Sequence, residues 1–176
     1  MSSTEKPRSY IAGGREVTLE TDPEYVAINL NLVGESHIDR LQSLLAGSWQ
    51  RVSPTLAIVS RKAIEALGSE EPMSAGAVFP VFVEGSTRII PQPEVRVESK
   101  GRSQSDGMKR IRTWLDQHPG RAQLVSSKPQ CLVLAPQSGY APDAVTLARD
   151  IAKSFNFLSA SPRFLRVVPK PVADSE

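Results

Sequence analysis

EVRVESKGRSQSDGMKRIRTWLDQHPG (94–120) and its continuation RAQLVSSKPQCLVLAPQSGYAPDAVTLARDIAKSFNFLSASPRFLRVVP (121–169) switch repeatedly between two apolar periods. Val95 and Val97 face one way at strand spacing, and Ser99 to Gly107 forms a polar loop. Met108, Ile111 and Leu115 then make a helical stripe with Trp114 beside it, which His118-Pro119-Gly120 ends. Ala122, Leu124 and Cys131 to Ala135 supply two middle strands joined around Lys128-Pro129. Pro142 fits the first turn of a second helix, where Asp143 suits the positive end of the dipole and Lys153 the last turn. Its inward face is Ala144, Leu147, Ala148, Ile151 and Phe155. Phe157 to Val168 returns as a last strand, with an interruption expected at Ser161-Pro162. The order is strand, helix, strand, strand, helix, strand.

The preceding half predicts the same order after a hairpin. Gly13-Gly14, between Tyr10-Ala12 and Glu16-Leu19, supplies the positive φ angles of a tight turn. Asp22-Pro23 is expected to break the chain. Tyr25 to Val33 alternates as a strand, with Val26, Ile28, Leu30 and Leu32 on one face. A helix capped by Ser36 follows, carrying Ile38, Leu41, Leu44 and Leu45 and stopped by Gly47. Trp49–Ser53 and Thr55–Ser60 read as short strands bent apart at Pro54, Lys62–Leu67 as a helix, and Ser69–Pro72 as a loop. Val78–Glu84 is a strand whose Pro80 implies an edge position or a bulge.

Two units of this order predict an α+β fold: two tandem ferredoxin-like (split βαβ) units with antiparallel sheets, preceded by an N-terminal β-hairpin. The expected organisation is a disordered N-terminus over 1–9, the hairpin plus a first unit over 10–90, a second unit over 91–168 and an extended tail over 169–176. The junction falls between Gly85 and Pro93.

The chain has 176 residues, 40% of them hydrophobic, which is enough to bury a core in one or two small domains. Its 21 Lys and Arg against 19 Asp and Glu give a net charge of +2, too small to demand a polyanionic partner. The single cysteine, Cys131, argues against a disulfide scaffold and is expected in the core of the CLVLA run. MSSTEKPRSY lacks the apolar segment of an export signal, and no run approaches the ~18 apolar residues of a membrane span. A cytoplasmic location is the expectation.

Catalytic constellations are not evident. His37 and His118 are the only imidazoles; Asp116 is close to His118, but the pair sits at a helix end that the following proline already explains. Two histidines and one cysteine, scattered, do not make a zinc site. No catalytic residues, metal or cofactor are therefore expected, and the chain is not read as an enzyme. Lys100, Arg102, Lys109, Arg110, Arg112 and Arg121 form the one basic cluster. RNA-binding domains of this fold stack bases on central-strand aromatics, and CLVLA has none, so the cluster reads as a solvated helix face and RNA binding as a weaker alternative.

The helix from Pro142 to Phe155 followed by FLSASPRFLRVV resembles the N-terminal prodomains of bacterial subtilisin-like serine peptidases, including the fervidolysin-like group. In that family the second helix leads into a strand with an apolar residue, Ala and a Pro-Asn-aromatic turn. Leu158, Ala160, Pro162 and Phe164 occupy this pattern, with Arg163 at the Asn position. The front half, through VFPVFVEG, resembles the extra N-terminal region of some bacterial members.

The resemblance implies an inhibitor and intramolecular chaperone. The sheet would dock on the protease, on the same precursor or a separate chain, and the segment Leu165, Val167, Val168, Pro169, Lys170 and Pro171 would lie in the substrate cleft by β-augmentation. Pro169 and Pro171 favour an extended tail. The alternative is a stand-alone interaction or ligand-sensing scaffold module.

Overall fold

The computed structural model describes residues 8–68, 73–99, 104–156 and 158–168. The fold is α+β, with four helices, and every described strand register is antiparallel. The chain divides into two compact units. The rear unit holds residues 8–20 and 91–165, and the front unit residues 21–90 and 166–168.

In the front unit the elements are β2 (Arg15–Asn29, from Thr21 onward), α1 (Glu35–Leu44), β3 (Gln50–Ser53), β4 (Leu56–Ser60), α2 (Arg61–Leu67), β5 (Val78–Glu84) and the first residues of β6 (Thr87–Ser99). Strands lie in the order β3-β4-β2-β5-β6. Leu41 and Leu45 pack with Val26, Ile28, Ala57 and Val59, and Ala63, Ile64 and Leu67 close the same core. Leu44, expected on this face, is exposed instead. Gly34, not Ser36, occupies the N-cap of α1.

Three proline or turn signals resolve differently from expectation in this unit. Asp22-Pro23 does not break β2; the Asp22 carboxylate accepts from the N–H groups of Glu24 and Tyr25, so the donors next to the proline are satisfied within the strand. Leu30–Leu32 is a 3₁₀ turn and not a strand continuation; the Asn29 side chain accepts from Asn31 N at 3.1 Å and turns the chain. Pro80 is buried in β5, which has neighbours on both sides, so of the two expected positions, edge or bulge, it is not the edge.

The rear unit contains β1 (Arg8–Ala12), the start of β2, the rest of β6, α3 (Gln104–Gln117), β7 (Ala122–Lys128), β8 (Cys131–Pro136), α4 (Asp143–Ser154) and β9 (Leu158–Val167, to Leu165). The order is β9-β6-β8-β7. Met108 and Ile111 of α3 and Ala144, Leu147, Ala148 and Ile151 of α4 cover one face, meeting Val95, Val97, Leu132, Leu134, Leu158 and Ala160.

β6 begins at Thr87 and runs through the expected junction. Its registers with β5 (Thr87–Ile89) and β8 (Val95–Glu98) leave Pro91 and Pro93, which have no N–H to give, between them. α3 starts at Gln104, inside the expected loop. β9 continues through Ser161-Pro162; among the described residues it pairs with β6 alone, and a strand paired on one side can accommodate a proline.

The β1–β2 hairpin turns at Gly13 and Gly14, with φ of 57° and 79°, as the sequence predicts. It belongs with the rear unit and not with the front one: β1 lies against α4, where Arg8 Nη1 donates to Pro142 O at 2.8 Å and pairs with Asp143 at 3.0 Å. Arg8 and Ser9, expected in a frayed terminus, are thus part of β1.

Glu16 accepts from the Ser9 hydroxyl and from Lys153 of α4, and these partners hold its carboxyl below the usual carboxylate value. A group with a depressed value stabilises the fold at neutral pH and ceases to do so as pH falls through its folded-state value. Acidification should therefore raise amide exchange in β1 relative to the Glu16→Gln variant. Identical pH profiles for the two proteins would show that this contact is inert.

Candidate functional site

With the helices on one face of the rear sheet, alternation sends every second residue to the other face. Glu94, Arg96 and Glu98 of β6 point away from Val95 and Val97, and Cys131 and Val133 of β8 away from Leu132 and Leu134. Register places Lys128 opposite Cys131 and Ser126 opposite Val133. Ser161 and Arg163 of β9 are exposed, while Leu158, Ala160 and Pro162 are buried.

The outward face is charged and open. Arg96 pairs with Glu98 at 2.6 Å, and Arg163 with Glu94 at 2.7 Å. The Glu98 carboxylate holds the Arg96 guanidinium above its ordinary value, and the Cys131 side chain adds in the same sense. Cys131 is therefore not the core cysteine expected from CLVLA. It is half-buried on this face, where a groove of about 560 Å³ opens between the strands. Counting in twos from Leu132 and Leu134 would have found it.

The residues that carried the family pattern have an architectural place. Leu158 and Ala160 lie in the rear core, and Phe164 packs edge-on against Tyr10 with ring centroids 5.4 Å apart. In the expected cleft-binding segment, Leu165 and Val167 are half-buried residues of β9, Arg166 pairs with Glu84, and Val168 follows the strand at 70% exposure. Pro169, Lys170 and Pro171 lie outside the described residues.

At the rim of the rear sheet, β7 has a neighbour on one side only among the described residues, and it exposes Leu124 and Val125 at a register irregularity. The sequence reading placed Leu124 in a strand but did not single out this rim.

The remaining candidates stay apart. His118 donates from Nδ1 to the Trp114 carbonyl at 2.8 Å and stacks on the Trp114 ring, as a helix-end contact. His37 is exposed, 3.4 Å from the Ser36 hydroxyl. Among the described residues no group of three or more His, Cys, Asp and Glu is placed to hold a metal, and no helix is long and apolar enough to cross a membrane. Of the basic cluster, Lys109, Arg110 and Arg112 are exposed on α3, Arg112 reaches Ser127, and Arg121 pairs with Asp150. Lys100 and Arg102 lie outside the described residues.

Comparison of the chain with family models, curated proteins and solved structures finds no significant match.

Proposed function

We propose that the chain is a non-catalytic protein-binding module, a prodomain-like inhibitor and folding helper of a subtilisin-like serine protease built from tandem ferredoxin-like units. The observation that carries the reading is the strand permutation. In the rear unit the first strand, β6, is flanked by the third and fourth, β8 and β9, with the second, β7, at the rim; in the front unit β2 is flanked by β4 and β5, with β3 beyond β4. That order supports the split βαβ reading, and the exposed Arg96, Lys128 and Arg163 on the face away from the helices would be the docking side.

Docking would use the outward face carrying Arg96, Lys128 and Arg163. The segment from Val168 through Pro169, Lys170 and Pro171 would enter the substrate cleft in extended form, its main chain pairing with the protease. Because Arg166 is engaged by Glu84 and Val167 is half-buried, a specific observation also favours the second reading, a scaffold module that binds through the sheet face alone.

One experiment separates the two. Under the inhibitor reading the full chain inhibits a subtilisin-type peptidase in a chromogenic assay, and deletion of residues 169–176 abolishes inhibition while binding persists. A full chain that the peptidase digests without delay, or a truncated chain that inhibits equally well, overturns the cleft-binding segment.

A further inference from the structure

The groove on the outward rear face has the size and lining of a small-molecule site in its own right. Its volume, about 560 Å³, falls in the range that holds metabolite-sized and drug-sized ligands. Three cations line it, Arg96, Lys128 and Arg163, against one carboxylate, Glu94. Val133 and Pro162 give it apolar wall, and the Ser126 and Ser161 hydroxyls add hydrogen-bonding groups. We propose that this groove binds a small organic polyanion, a di- or tricarboxylate or a phosphorylated small molecule.

The existing ion pairs do not block such a ligand. A guanidinium offers five N–H donors in a fork, and Arg96 meets Glu98, as Arg163 meets Glu94, through a single N–O pair. Both pairs are solvent-exposed, and exposed pairs are worth little, so sharing or exchanging the carboxylate costs little. Lys128 contributes a point charge from the rim strand, directly across the ladder from Cys131. The cations come from three different strands, β6, β7 and β9. A ligand carrying several separated charges can therefore engage more of them than a compact anion.

The inference rests on this lining and not on protease docking; where docking also holds, ligand and protease compete for the same face. The test is calorimetric titration of the full chain with citrate at fixed ionic strength. Saturable binding with Kd on the order of 1 mM or tighter is expected, weakened about tenfold or more in the Lys128→Glu/Arg163→Glu double variant. Inorganic phosphate, too small to bridge the cations, should bind about tenfold more weakly than citrate. Both replaced residues are exposed, so the double variant should retain the parent's melting curve, and Lys109→Glu on α3 should leave citrate binding unchanged. Absence of saturation, equal affinity in the double variant, equal affinity for phosphate, or loss of binding in Lys109→Glu overturns the proposal. None of these outcomes depends on whether a peptidase is inhibited.

Discussion

Replacement of Asp22 by alanine should destabilise the front unit by about 3 kcal/mol, the scale for stripping a buried charged group from its partners. The residue is only 4% exposed, yet three donors converge on its carboxylate. Oδ1 accepts from Glu24 N at 2.8 Å and Tyr25 N at 3.1 Å, and Oδ2 pairs with Arg88 Nε at 2.9 Å. Arg88 in turn lies over the Tyr25 ring, 3.8 Å from its centroid, and Arg61 donates to the Asp22 carbonyl at 3.3 Å. Alanine removes the acceptor for two backbone N–H groups and leaves a guanidinium that is 22% exposed without its counter-charge. Each orphaned donor costs about 1 kcal/mol and the charge somewhat more, which sets the total. Asp22→Asn keeps an acceptor for the backbone and should cost about half as much. Urea unfolding monitored through front-unit amides gives the measurement. A cost for Asp22→Ala below about 0.5 kcal/mol, the level of an ordinary surface substitution, would mean that water replaces the network without penalty.

This network also explains where the sequence was misleading. Asp-Pro is a turn signal because the aspartate side chain competes for nearby backbone donors and proline gives none. Here the same side-chain hydrogen bonds form inside β2, and Arg88, 66 positions away in sequence, fixes the carboxylate in place. A contact of that separation has no local signature. Leu30–Leu32 is the reverse case: period-two alternation suggested a strand, but Asn29 supplied a turn acceptor that outweighed it. The elements decided by local physics were legible. Gly13-Gly14 forms its hairpin, β5 has the expected bounds, and four of the residues the helical stripe marks, Ala144, Leu147, Ala148 and Ile151, are buried in α4, while Phe155 is its half-buried C-cap and Val145, outside the stripe, is buried as well. Strand order was only implied, since it depends on which edges meet.

Within the candidate site, legibility follows the same division. The residues quoted for the family resemblance, Leu158, Ala160 and Pro162, also recur at period two, and that alternation is why they are buried. The polar residues that alternate with them, Ser161 and Arg163, form part of the outward face, although the sequence marks Ser161 only as a strand interruption and Arg163 only as a departure from the pattern. Arg96, Lys128 and Arg163 lie far apart in sequence and share a groove only because β7, β8, β6 and β9 are adjacent in space. The hydrophobic neighbours of Cys131 point to the core, but its position in the alternation of β8 puts it on the outward face.

The sharpest test of that parity compares two adjacent residues of β8. Leu134→Ala should destabilise the rear unit by about 3–4 kcal/mol, whereas Val133→Ala should cost about 1 kcal/mol or less. Leu134 is fully buried between the sheet and its helices, in the cluster that includes Ile111, Leu147 and Ile151. Truncation there removes three carbons from a packed interior and leaves a cavity that neighbours on two helices and two strands cannot readily fill. Val133 stands on the opposite face, half-buried on the groove wall, and solvent can take the space its methyl groups leave. Denaturant unfolding of the two variants, followed by rear-unit amide exchange, measures both costs. The direction also bears on binding. Leu134→Ala should loosen β8 and weaken citrate affinity indirectly at temperatures near its lowered midpoint, while Val133→Ala should alter affinity at every temperature with a much smaller midpoint shift. Equal costs at the two positions would mean that both faces of β8 are covered, and a covered outward face leaves neither a docking surface nor a groove.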